Sequence, residues 1–377
     1  MPKYQFLQPL HFSKKDVTLK NRIVIPPMTE QMAFHDGTVT QDQLRYYSLH
    51  TGGVGMYTTA VANVNDLGKG FEGEFSIAHD EDIPGLTRLA NAIKQNGTKA
   101  IVQIFSAGRM TSSQVLRGQQ PVSASAVAAP RPGMETPRAL TGAEVQQTIK
   151  DFGAAVHRAI VAGFDGVELH GANTYLLQQF FSPHSNRRTD DWGGNVQARM
   201  RFPLAVVDEA ARVVAADADR PFLLGYRISP EELEKPGITI DDTLQLVDAL
   251  AEKPLDYLHV SNSDVWRTSI RDHNDQRVVN TLIKERLAGR LPMIVVSGMR
   301  TPAMVAKAAE VFDLVALGKE SLIEPQWVEK VQAGEESAIR YAVAESDLPE
   351  LGIEPPFWQM ILRTAGGAEN VPVVKPD

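Results

Sequence analysis

Three polar side chains leave the end of one apolar run in this 377-residue chain: His170, Asn173 and Tyr175. The run itself, Phe164 to Leu169, is β-branched and apolar and reads as a buried parallel strand. Histidine and asparagine can both donate to one oxygen, and tyrosine carries a weakly acidic proton. Such a trio could hold a carbonyl oxygen and protonate the neighbouring carbon. Polar groups at the C-terminal end of a barrel strand sit where catalysis happens in that architecture. Taken alone, His170 reads equally as a hydrogen-bonded core histidine.

The elements that must position this trio follow a regular pattern. Eight short apolar runs are predicted as parallel strands: 22–26, 54–60, 100–105, 166–169, 222–227, 257–260, 293–297 and 314–317. Most precede a helical pattern with marked ends. Thr40 with Gln43, Thr141 with Glu144 and Thr239 with Asp242 read as capping boxes. Thr301-Pro302 reads as an N-cap followed by Pro at the first helical position. Eight strand–helix units predict an α/β chain folded as a (β/α)8 TIM barrel. A doubly wound sheet would want a Gly-x-Gly-x-x-Gly turn after an early strand, and the sequence has none. The barrel is expected over residues 1–335, with a long excursion at 106–140 forming a lid or rim. Residues 336–377 are expected as a tail packed on the barrel or on a neighbouring subunit.

Composition excludes several chemistries. There is no cysteine, hence no disulfide, no thiolate nucleophile and no thiolate-held iron–sulfur cluster. Net charge is −8, which argues against a non-specific nucleic-acid binder. The N-terminus lacks the apolar core of a signal peptide and no 18-residue apolar stretch is present, so the cytoplasm is the expected location. His35, His50, His79, His157, His259 and His273 show no metal-ligand spacing, and no metal is expected.

The strand end, followed by Ser182-Pro183-His184-Ser185-Asn186-Arg187-Arg188-Thr189-Asp190-Asp191-Trp192-Gly193-Gly194, resembles the old yellow enzyme family of FMN-dependent ene-reductases. That resemblance extends over roughly residues 5–335. It implies tightly but non-covalently bound FMN, NADH or NADPH as hydride donor, and an enone or related activated alkene as substrate. It also implies catalytic roles for His170, Asn173 and Tyr175, with His170 beside the flavin as well. Pro26, Pro27, Met28 and Thr29 then end the first strand at the flavin, though Thr29 by itself reads as a loop residue. Ala60 matches a small residue beside the flavin, uncertain by one position.

Gln103 sits inside an apolar run and needs partners for its amide. It fits a flavin pyrimidine edge, or a neighbouring backbone. Arg227 fits the anionic reduced flavin near N1, or a buried ion pair with an acid. The loops Ser297-Gly298-Met299 and Gly318-Lys319 match the phosphate site, with Lys319 where many relatives carry Arg. Weaker expectations place Gln31, Arg109, Ser261 and Trp266 at the substrate, while His184, Arg187 and Arg188 are expected to stabilise their loop. The alternatives are a flavin-binding redox sensor or interaction protein, and a tRNA dihydrouridine synthase. The second class uses a cysteine acid and a basic surface, and this chain has neither. A homo-oligomer is compatible with the sequence.

Overall fold

Eight parallel strands close into a barrel in the computed structural model, which describes residues 3–364 and 371–374. They are β1 (Ile23–Ile25), β2 (Met56–Asn63), β3 (Lys99–Phe105), β4 (Gly166–Gly171), β5 (Leu223–Ile228), β6 (Tyr257–Val260), β7 (Met293–Val296) and β8 (Leu314–Ala316). Each pairs with its sequence neighbours, and β8 pairs with β1 to close the ring. All eight predicted strands are present, and the (β/α)8 expectation is met.

The helices that separate them begin where the caps predict. Thr40 caps α1 (Gln41–Leu49), Thr141 caps α2 (Gly142–Val161) and Thr239 caps α3 (Ile240–Ala251), each as a reciprocal capping box. Thr301 caps α4 (Pro302–Ala309), whose first residue is the proline. In each case a side-chain oxygen satisfies a backbone N–H that the first helical turn leaves open.

Residues two apart on a strand share a face. The inner face of the barrel therefore carries Val24, Met56, Ile101, Leu223, Tyr257, Ile294 and Leu314 in its lower part. An N-terminal hairpin, Leu10–Phe12 paired with Val17–Leu19, packs Phe12, Val17 and Leu19 onto this cluster and plugs that end. Farther along the same strands the inner face turns polar, with Gln103, Glu168, His170, Arg227 and His259 all buried. An apolar plug below and a polar layer above make the polar end of the barrel the candidate site.

The excursion at 106–140 is pinned to the rim. Arg109 donates to the carbonyls of Val127 and Ala128, both at 3.0 Å. Arg188 reaches the carbonyls of Ala124 and Leu140 from the 182–194 loop. The described part of the tail lies on α1: Phe357 meets Tyr46 edge-on at 5.2 Å, and His50 contacts the Leu351 carbonyl at 2.8 Å. Residues 365–370 and 375–377 of the expected tail lie outside the described residues.

Candidate active site

Glu168 is the centre of the buried polar layer, and the sequence reading passed over it. Its carboxylate accepts from Gln103 Nε2 at 2.6 Å and from His259 Nδ1 at 3.0 Å. Both Glu168 and His259 are fully buried. Burial works against the Glu168 charge, but His259, Arg227 and Gln103 outweigh it and hold the carboxyl below its usual range. Burial holds His259 below the usual histidine range, so the ring is neutral and donates one N–H. The charge of Arg227 acts on Glu168 from the neighbouring strand, where Arg227 pairs in register with His170. A signal for Glu168 was present: it stands two residues before His170, hence on the same strand face.

His170 is the penultimate residue of β4, with 2% of its surface exposed. Burial, reinforced by the charge of Arg227, keeps its imidazole neutral, well below the usual range. Its Nδ1 is buried without a hydrogen-bond partner, as is Gln103 Oε1. Buried polar atoms normally find partners. Two such atoms, with a cation beside them, suit a ligand edge that both donates and accepts.

Asn173 and Thr174 have φ of +54° and +67°. Successive left-handed residues are unusual, and a β-branched threonine there is strained. The neighbouring structure enforces the turn. Thr174 N donates to Gln178 Oε1 at 2.9 Å, and Gln179 Nε2 donates to Thr174 O at 2.7 Å. Gln178 in turn donates to buried Glu232 at 2.8 Å. Ser229 accepts from Asn173 N at 2.9 Å, and Ser261 donates to Asn173 Oδ1 at 3.0 Å. With its oxygen taken, Asn173 has its NH2 group to offer. The Tyr175 ring stands 5.1 Å from that of His170 and edge-on to Phe105 at 4.8 Å. Burial and then the charge of Glu74 push its phenol up to about 12. It is a protonated donor throughout the physiological range.

The cofactor candidates converge from several strands. A Cβ on Gly318 would meet Pro26 at 3.6 Å and Met28 at 3.9 Å, which places the ends of β1 and β8 side by side. Pro27 and Thr29 are half-buried on the same segment. The β2–β3 register shifts between Thr58 and Val61, a bulge that explains the one-position ambiguity at Ala60. Ala60 N donates to Tyr47 Oη at 2.9 Å instead. Ser297 and Gly298 both have positive φ, +86° and +77°, just ahead of buried Met299. Lys319 opens the short helix Lys319–Ile323 behind Gly318. Backbone N–H groups and a cation at a helix start suit a phosphate.

Of the four weaker substrate assignments, Ser261 joins the site through Asn173. Gln31 lies on the rim, where its Oε1 accepts from Arg363 at 3.0 Å. Arg109 is buried and committed to the excursion carbonyls. Trp266 packs on Phe312 at 5.7 Å with Lys307 above it at 5.2 Å. The loop role expected of the histidine and arginines after Ser182 is seen directly: Arg187 Nε donates to His184 O at 3.0 Å.

Residues 5–338 match the NADH:flavin oxidoreductase / NADH oxidase family. The chain belongs to that family. A protein of Bacillus subtilis (strain 168), named a probable NADH-dependent flavin oxidoreductase, is 43% identical over 97% of this chain and 98% of its own length. The NADH:acrylate oxidoreductase of Vibrio harveyi is 46% identical over 92% of this chain. Only 35% of that longer relative is covered, so the chain spans about a third of it. Morphinone reductase in complex with tetrahydroNAD superposes with a TM-score of 0.76 at 26% identity, covering 98% of both chains. This NADH:flavin oxidoreductase family member is therefore an NAD(P)H-dependent flavin enzyme with FMN as its flavin, and the old yellow enzyme resemblance holds. The orphaned Gln103 and His170 atoms, Arg227 and the small residues Ala60 and Gly318 fit an isoalloxazine.

Proposed function

We propose that the chain reduces the C=C bond of alkenes conjugated to a carbonyl, with NADH or NADPH as the source of electrons. The observation that carries this reading is the fixed amide of Asn173 beside a neutral His170 and a protonated Tyr175. FMN, when bound, supplies the hydride that NADH or NADPH has brought to it. Everything else falls to side chains of this protein. His170 and Asn173 donate to the carbonyl oxygen, where negative charge grows as the β-carbon accepts hydride. Donors already held in place are worth about 2.7–4 kcal/mol each in such settings. Tyr175 gives its phenolic proton to the α-carbon, a contribution of roughly 10²–10⁴-fold. Glu168 keeps Gln103 and His259 oriented beneath them.

The Vibrio harveyi relative is named for acrylate, an alkene conjugated to a carboxyl. Because this chain corresponds to a third of that protein, acrylate stands beside enones as an acceptor to be tested. Anaerobic rapid mixing tests the reading. The FMN-loaded protein should bleach with NADH or NADPH and recover its colour when mixed with cyclohexenone. Recovery should be strongly slowed in His170→Ala and Asn173→Ala. A reduced parent protein that no activated alkene reoxidises would refute the proposal.

A further inference from the structure

A cavity of about 620 Å3 opens on the rim beside β1, lined by Gln31, His35, Gly73, Gln359 and Arg363 among others. It adjoins the catalytic face on two sides. Gln31 stands two residues after Thr29. Gly73 is followed by Glu74, the buried acid whose charge acts on Tyr175. The wall between is tight: Ala33 N donates to Gly73 O at 2.9 Å, and a Cβ on Gly73 would lie 2.5 Å from the Gln31 carbonyl oxygen. With φ +77° as well, this position suits glycine.

Across the cavity stands α5 (Pro355–Thr364), which the tail brings back to the barrel mouth. Its Arg363 is exposed, and its guanidinium donates to Gln31 Oε1 at 3.0 Å and to the Gln359 carbonyl at 3.3 Å. Both acceptors are neutral, and among the described residues no carboxylate pairs with Arg363. The lining also holds one acid, Glu72, which is ion-paired with Arg117 at 2.6 Å and Lys69 at 3.2 Å. With that carboxylate neutralised from outside the cavity, Arg363 is the lining cation without a carboxylate partner among the described residues, and its planar fork suits phosphate oxygens.

We propose that this cavity binds the diphosphate of the reduced nicotinamide dinucleotide, with Arg363 as its charged contact. The inference rests on the oxidoreductase reading above and adds to it where the donor's tail lies. Gln31 holds the guanidinium toward the cavity. The nicotinamide end then enters the catalytic mouth past Gln31, and the C-terminal tail takes part in recognising the electron donor.

The test compares three donors with the FMN-loaded enzyme in anaerobic rapid mixing. NADH and NADPH carry the diphosphate; 1-benzyl-1,4-dihydronicotinamide has the reacting ring but neither diphosphate nor adenosine. Arg363→Gln should raise the Kd for NADH and for NADPH roughly 10-fold. The limiting rate and the reaction with the benzyl donor should not change. Arg363→Lys should recover most of the affinity. Gln359→Glu, which adds a like charge to the diphosphate's surroundings, should weaken both dinucleotides and spare the benzyl donor. Unchanged dinucleotide affinity in both Arg363→Gln and Gln359→Glu would overturn the proposal. So would equal weakening of all three donors, since Arg363 would then act through Gln31 on the nicotinamide pocket. A parent enzyme reduced by none of the donors would bring down the oxidoreductase reading and this inference with it.

Discussion

Ser261 donates its hydroxyl to the side-chain oxygen of Asn173 at 3.0 Å, joining the ends of β4 and β6 across 88 residues of sequence. It is the shorter of two hydroxyl bonds to that oxygen, Ser229 donating to it at 3.4 Å, and it carries most of the hold on which face of the amide a substrate meets. Ser261→Ala should let the amide turn, so that it presents oxygen as often as NH2. Binding of a phenol, which mimics an enolate oxygen, should weaken roughly 3- to 10-fold. The charge-transfer absorbance of the complex reports it. Reduction by NADH should be unaffected, and a variant that binds phenols like its parent would show that Asn173 needs no such anchor.

Tyr175→Phe keeps the ring against Phe105 and removes the hydroxyl. Flavin reduction by NADH or NADPH requires no proton donor at that point and should stay nearly intact. Enone reduction should slow by roughly 10²–10⁴-fold. Nitroolefins should suffer less, because their nitronate is stable enough to take a proton from water. Equal slowing of both half-reactions would make Tyr175 a positioning residue.

Lys319→Ala should purify with less FMN and lose it more readily as salt is raised. Fluorescence of released flavin measures this directly. An FMN dissociation constant equal to the parent's would move the phosphate partner elsewhere on the rim.

Glu30 gives a pH dependence of known sign. It is buried behind Thr29, where Gln43 Nε2 donates to it at 2.6 Å, and burial raises its carboxyl to about 8. A carboxyl raised on folding stabilises the protein fully below its ordinary pKa, near 4.5. That contribution is lost as pH climbs toward about 8, because the unfolded chain gives up its proton first. Glu30→Gln cannot titrate. From pH 5 to pH 8 it should gain on the parent by about 1–3 kcal/mol in denaturant unfolding. A constant difference between the two proteins across that range would mean that Glu30 is ionised in the fold.

Legibility followed locality. The eight strands and the capped helices rest on patterns contained in windows of a few residues, so periodicity and end signals suffice to find them. His170, Asn173 and Tyr175 lie within six positions and read as a group for the same reason. Glu168 did not, because a carboxylate in an apolar strand acquires meaning through its partners. Gln103, His259 and Arg227 arrive from three other strands, and neither their distances nor the balance of burial against charge can be read along the chain. Ala60 shows the same limit at smaller scale: a bulge shifts the register by one residue, and a bulge is a property of two strands.

The barrel, the candidate strand end and the flavin class are legible along the chain. These depend on side-chain period, on local hydrogen-bonding chemistry and on motifs short enough to survive as text. Tertiary structure alone decided which way the Asn173 amide faces, that Glu168 is the charged centre beneath the site, and that Arg363 meets Gln31 across 332 residues. Each of these depends on atoms brought within about 3 Å by the closing of the sheet or the return of the tail. Hydrogen bonds and the effect of burial on charge act over such distances in space, whatever the separation along the chain.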